Sequence, residues 1–202
     1  MKLYYSPGAC SLSPHIVMRE AGIPVQLVKV DLAARKTEEG TDFKTINSKG
    51  YVPTLELPDG QRLTEGPAIV QYLADQAPTR GLAPASGTVE RYRLQEWLNF
   101  ISTELHKQFS PLFDPASEDG FKARQIERIG TRLDWVSKQL GSREYLMGSG
   151  FTAADAYLFT VLSWSRHVGV DLAKWPTLSV YVGRVGQRPA VREALKAEGL
   201  HK

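Results

Sequence analysis

Cysteine occurs once among the 202 residues, at position 10. A single thiol excludes an internal disulfide and a cysteine-rich zinc site, so no structural metal is expected and stability must come from packing. Charge of one sign is also lacking: 25 basic residues face 22 acidic ones, for a net charge of +3. Without a basic stripe interleaved with aromatics, nucleic acid is not an expected partner. Long apolar runs are missing too. The longest, Ala153 to Trp164, is shorter than a bilayer span and carries Asp155, so no membrane segment is expected. "MKLYYSPGAC" lacks the apolar core of a signal peptide, and the expected location is the cytoplasm, where thiols stay reduced. What is present, 42% hydrophobic and 23% charged residues, is the balance of a packed globular protein of one large or two small domains.

The periodicity changes along the chain. "KLYY" and "VQLVKVD" read as strands, "SLSPHIVMREAG" between them as a helix, and "TLEL", the turn "PDG" and "QRLT" as a hairpin followed by a helix from Pro67. The stretch from Ala77 to Gly87 is rich in Pro, Gly and small residues, and beyond it the pattern is helical. Leu94, Trp97, Leu98, Ile101 and Leu105 form one apolar stripe; Ile126, Ile129, Leu133, Val136 and Leu140 form another. "FTAADAYLFTVLSWSRHVG" is apolar nearly all round, a buried central helix whose start is signalled by Thr152 and Asp155 in a capping-box arrangement. The expected architecture is an α/β domain of thioredoxin-like type over 1–77, a linker over 78–87, and an all-helical domain over 88–202.

Cys10 stands where the first strand gives way to the first helix, which starts close to Ser11 with Pro14 in its opening turn. A sulfur there, or a ligand beside it, meets the positive end of the helix dipole and free backbone N–H groups, which favour a thiolate. The alternative is a small buried hydrophobe. "CSLS" has the form C-x-x-S, so the resolving thiol of a dithiol redox protein is missing and a second thiol must come from outside; glutathione is the cytoplasmic candidate. Pro53 in "KGYVPTLEL" precedes a strand, as a cis-proline does in a thioredoxin-like domain, leaving the Val52 backbone to pair with a peptide-like ligand, unless it is a trans proline merely starting the strand. Glu65 and Gly66 stand at the mouth of a helix. Their N–H groups and carboxylate suit a ligand end with both a carboxylate and an ammonium, although Glu65 alone would also complement the helix dipole.

"YSPGACSLSPHI", "GYVPTLEL", "LTEGPAIVQYLADQ", "EWLNFISTELHKQFSPLF" and "FTAADAYLFTVL", in this order and spacing, resemble the glutathione transferases, and specifically the bacterial beta class. The resemblance runs essentially end to end. It implies an enzyme that uses glutathione as co-substrate against a small hydrophobic electrophile, halogenated aromatics included, and a homodimer. It further implies that Cys10, Val52, Pro53, Glu65 and Gly66 bind glutathione, with Arg35, or alternatively Lys36, near the glycine carboxylate. Other classes carry Ser where this chain has Gly66, and activate the thiol with an N-terminal Tyr or Ser; Tyr5 and Ser11 lie close to Cys10 in sequence.

In "RYRLQEWLNFISTELHK", Tyr92, Glu96, Asn99, Thr103 and His106 recur at helical spacing as a polar stripe, which by itself reads as a solvated face. By resemblance Asn99, Thr103, Glu104 and His106 serve the glutathione site, some of them from the partner subunit, with Cys10 and His106 as the catalytic residues; His106 would donate a hydrogen bond to a sulfur. Trp164 and Phe109 are candidates for a second, apolar pocket or for the core. The rival readings are a glutathione-dependent thiol transferase or reductive dehalogenase acting through a Cys10 mixed disulfide, and a non-catalytic ligand-binding module.

Overall fold

A computed structural model describes residues 1–200. Strand β1 (Lys2–Tyr5) runs into the turn that carries Cys10, and helix α1 (Leu12–Ala21) brings the chain back to β2 (Gln26–Asp31). Because β1 and β2 are parallel, Leu3 opposite Leu27, a crossover of this length is required between them. A short β3 (Lys36–Thr37), not expected from the sequence, pairs antiparallel with β2. The hairpin of β4 (Thr54–Glu56) and β5 (Arg62–Thr64) then attaches antiparallel to the other side of β1, in the order β3-β2-β1-β4-β5. β1 is thus central. Its Leu3, Tyr4 and Tyr5 are all buried, which explains why "KLYY" does not alternate as a half-exposed strand would. Helix α2 (Gly66–Asp75) follows, one residue earlier than Pro67, and packs against α1.

The second body is helical, and among the described residues no strand follows β5. α3 (Val89–Phe100) is capped by the Thr88 hydroxyl, which accepts the Arg91 N–H. It continues through a π-turn over Ile101–His106 into a last turn, α4 (Lys107–Phe109). α5 (Asp119–Leu140) buries Ile129, Leu133, Val136 and Leu140 as its stripe requires, while Ile126 stays half-buried and the neighbouring Gln125 is buried instead. α6 (Ala153–Ser163) is buried at every position to Leu162, the central helix the sequence indicates. Its Asp155 accepts the Thr152 N–H and hydroxyl, both at 2.8 Å, so the start signal operates as read. α7 (Pro176–Gly186) completes this body.

The domain boundary differs from the expected one at the C-terminus. Two compact units divide the chain, Met1–Ala83 with the segment from Arg188 onward, and Pro84–Gln187. By contacts, the last helix of the expected 88–202 domain groups with the α/β unit. Helix α8 (Pro189–Ala197) returns to the α/β unit and packs on α1, burying Val191 and Ala194. Polar contacts seal the return. Arg188 reaches both oxygens of Glu20, and Glu198 accepts the ring Nδ1 of the fully buried His15 at 2.8 Å and the Gly8 N–H at 2.9 Å. Such long-range pairs leave no periodic trace in sequence.

Candidate active site

The turn between β1 and α1 is tightly held. Gly8 adopts φ +71°, a left-handed conformation that suits glycine, and the Ser11 hydroxyl accepts the Ser6 N–H and donates to the Ser6 carbonyl. Cys10 is half-buried, and its thiol donates to the Val52 carbonyl at 3.1 Å. The first-turn backbone donors of α1 are already engaged. Leu12, Ser13 and His15 give their N–H groups to Ala9, Cys10 and Ser11 carbonyls, and Pro14 has none. The helix N-terminus thus acts on the sulfur through its dipole and not through donated first-turn hydrogen bonds. Ser11 is fully buried with its one proton committed to Ser6. Burial pushes the Tyr5 phenol above its ordinary range, with Glu198 and Glu38 adding to the shift, so it stays protonated.

Opposite Cys10, the Val52–Pro53 peptide is cis, as the thioredoxin-like reading required. The approach to it is fixed by Asn47, whose amide donates to the Tyr51 carbonyl at 2.8 Å and to the Thr54 hydroxyl at 3.1 Å. Val52 and Pro53 are buried.

Glu65 caps α2 from a conformation rarely taken by a residue with a side chain, φ +67° and ψ 112°. Backbone of that kind costs about 1–3 kcal/mol and persists where its surroundings or a function require it. The exposed carboxylate is held at 2.6 Å by the Lys49 ammonium, which also donates to the Thr64 hydroxyl. Lys49 was missed at the sequence level because an exposed lysine in a loop carries no pattern. Among the first N–H groups of α2, that of Ala68 serves the Glu65 carbonyl and Pro67 has none, so among the described residues the Gly66 N–H is left as the open donor. Arg35 and Lys36 are exposed where β2 turns into β3, Arg35 at φ +53° with its carbonyl accepting the Phe43 N–H, and neither stands in an ion pair among the described residues.

On the helical unit the polar stripe is broken by the π-turn. Tyr92, Glu96, Asn99 and Thr103 are exposed as read, and the Thr103 hydroxyl donates to the Asn99 carbonyl. The wider turn then re-registers His106, so that it is half-buried. Its Nδ1 lies 2.7 Å from the Tyr157 hydroxyl and its ring meets Trp164 at 4.9 Å between centroids. Burial, with the Lys107 ammonium adding to it, lowers the imidazole to about 4, so the ring is neutral at pH 7. Glu104 is turned to α5 and paired with Arg132 at 2.7 Å. Trp164 and Phe109 are buried in one aromatic cluster with Phe113, a core role. A separate open groove of about 620 Å³ on the helical unit is lined by Trp97, Phe100, Trp135 and Met147 together with Arg93 and Arg143.

A lone thiol facing a cis-proline, with a carboxylate at the mouth of a second helix, has counterparts among known proteins. Residues 8–76 match the N-terminal domain model of glutathione S-transferases, and residues 119–197 match the C-terminal domain model. The chain is 46% identical to glutathione S-transferase GstA of Escherichia coli O157:H7 over 99% of its length and all of that protein. It belongs to the glutathione S-transferase family. Among solved structures, a ternary complex of BphK, described as a bacterial glutathione transferase, shares 60% identity with a TM-score of 0.98 over 99% of this chain and all of that one. The beta-class enzyme of Sphingomonas chungbukensis shares 52% identity with a TM-score of 0.97 over the whole of both chains. A sphingomonad transferase solved with glutathione bound, also 52% identical, superposes with a TM-score of 0.96 over the whole of both chains. The chain is therefore an enzyme of the beta class of this family.

Family membership gives meaning to Gly66, where other classes carry serine. A Cβ built there meets nothing within 4 Å, and the residue is not in the left-handed region. Gly66→Ser should therefore fold without strain and, by adding a hydroxyl donor beside the single open N–H, tighten glutathione binding by about 0.5–1.5 kcal/mol, a few-fold in Kd. Isothermal titration checks this; weaker binding by a folded variant would mean that the open space is already filled by the ligand.

Proposed function

We propose that this enzyme conjugates reduced glutathione to small apolar electrophiles, halogenated aromatics among them, as a cytoplasmic homodimer engaged in detoxification. The observation that carries the reading is the pairing of a Glu65 carboxylate in a strained conformation with the lone open N–H of Gly66. Together they offer an acceptor for an ammonium and a donor for a carboxylate, the two charges of a γ-glutamyl end. The Val52 backbone takes the central cysteinyl residue in extended form, and Arg35 or Lys36 takes the glycine carboxylate. Cys10 contributes a thiol beside the incoming sulfur. His106, being neutral, stabilises a thiolate as a hydrogen-bond donor without a charge of its own, and Asn99 and Thr103 add polar contacts to the same ligand. The electrophile is attacked by the glutathione sulfur, and the rate gain comes from orientation and from stabilising charge on that sulfur.

Cys10 is half-buried and not sealed in the core, which favours one second reading, disulfide exchange. There its thiolate attacks oxidised glutathione, forms the mixed disulfide and releases one glutathione thiolate. Cys10→Ala separates the two. Conjugation of 1-chloro-2,4-dinitrobenzene should persist, because the nucleophile belongs to glutathione, while the single added glutathionyl mass seen by mass spectrometry with the unaltered enzyme should vanish. Conjugation at the uncatalysed rate in a folded Cys10→Ala protein that still binds glutathione would sink the division of labour between the two sulfurs.

A further inference from the structure

The mechanism leaves Tyr157 unused, yet among the described residues it is the one side chain hydrogen-bonded to the ring of His106. Tyr157 is 2% exposed in the middle of α6, and its hydroxyl stands 2.7 Å from Nδ1, with the two rings edge to face at 5.9 Å. A neutral imidazole carries one proton, and which nitrogen carries it is set by the partner of the other. Two arrangements exist: the phenol donates to a bare Nδ1, leaving the proton on Nε2, or Nδ1–H donates to the phenol oxygen, leaving Nε2 a lone pair. Two observations select the first. A bare imidazole nitrogen is a far better acceptor than a phenol oxygen, and the phenol is the more acidic donor. The separation of 2.7 Å is also short for N–H donation to oxygen and ordinary for an O–H donor.

We infer that Tyr157 is a positioning residue that holds His106 as the Nε2–H tautomer, so that the ring serves the reaction as a hydrogen-bond donor and not as a base. The inference rests on the proposed role of His106 toward the reacting sulfur, but it makes a statement about the ring that turnover is not needed to test. With the proton on Nε2, that nitrogen can hold an anionic sulfur and cannot take a proton from a thiol. Trp164 against one side of the ring, at 4.9 Å and 64°, and the burial of Tyr157 restrict the flip that would exchange the two nitrogens.

The test is nitrogen NMR of the full-length enzyme labelled at histidine, read near neutral pH without substrate. In the unaltered enzyme the His106 proton should be on Nε2, and Nδ1 should show the signature of an acceptor. Tyr157→Phe should convert the ring to a mixture of tautomers and lower kcat for conjugation roughly tenfold, as expected for a partly lost hydrogen bond to an anion, with KM for glutathione within about twofold. Should Tyr157→Phe fail to fold, fluorinated tyrosine at position 157 replaces it, and the Nδ1 resonance should move with the acidity of the phenol. A proton found on Nδ1 in the unaltered enzyme overturns the inference. So does an unchanged tautomer in Tyr157→Phe, an Nδ1 resonance indifferent to fluorination, or a mixed tautomer with unchanged kcat. Absence of conjugation in the unaltered enzyme would instead remove the proposed function and leave the tautomer result standing.

Discussion

Replacing Asp155 by alanine should destabilise the protein by about 3–5 kcal/mol, a large share of the 5–15 kcal/mol typical of a folded domain. The carboxylate is fully buried and is the common acceptor for four donors: the Leu146 N–H at 2.8 Å, the Thr152 N–H and hydroxyl at 2.8 Å, and the Tyr181 hydroxyl at 3.0 Å. Burial nevertheless raises its carboxyl above the ordinary range. Alanine would leave these donors in a place where Leu146 and Tyr181 are 0% exposed, and each unsatisfied buried group costs roughly 1–3 kcal/mol, less than additively. Tyr181→Phe removes one donor together with its need for an acceptor and should cost about 1 kcal/mol. Urea unfolding would show the difference as a drop in midpoint. A loss below about 1 kcal/mol for Asp155→Ala would mean that relaxation or water replaces the carboxylate, and that α6 is held by apolar packing alone.

Glu65→Ala should weaken glutathione binding by about 1.5–3 kcal/mol, roughly 10- to 150-fold, the worth of a hydrogen bond to a charged group. The Lys49 ammonium occupies Glu65 in the free protein, but both side chains are about half exposed or more, 48% and 68%, so releasing that pair costs little. Lys49→Met should accordingly change affinity by less than about threefold. Glu65→Gly provides the control for folding: it should bind as weakly as Glu65→Ala yet melt no lower than the unaltered enzyme, because glycine accepts φ +67° without strain. A thermal-shift series with glutathione and with an analogue lacking the γ-glutamyl group completes the test. Equal stabilisation by both, or an unchanged Kd for Glu65→Ala, would remove the carboxylate–ammonium assignment.

The two predictions differ in how they became visible. Asp155 announces itself in sequence because a capping box is local: Thr152 and Asp155 lie three residues apart, and the spacing alone places carboxylate and cap together. Its contacts with Leu146 and Tyr181 are not local, so the depth of the network is a tertiary fact. Glu65 is legible as the residue before a helix, whereas its positive φ and the Lys49 beside it are settled by how the hairpin folds back. The single cysteine is the same kind of case. Its place at a strand-to-helix junction follows from periodicity, but the engagement of the first-turn N–H groups depends on how tightly the turn closes.

By itself, the amino-acid order determined the alternation of strand and helix to residue 75 apart from the short β3, the change to helix beyond the linker, the buried central helix and the position of the thiol, because each rests on periods and caps spanning a few residues. Tertiary structure alone decided three matters. α8 left the helical unit for α1, since a buried His15–Glu198 pair joins residues 183 positions apart. Glu104 turned to Arg132, 28 residues away, a pairing that no local spacing records. The π-turn carried His106 off that stripe and onto Tyr157, 51 residues away, because a wider turn shifts every later side chain around the helix axis and no period of 3.6 records the shift. Burial and pairing across such separations depend on which surfaces meet, and that is a property of the packed chain and not of any window along it.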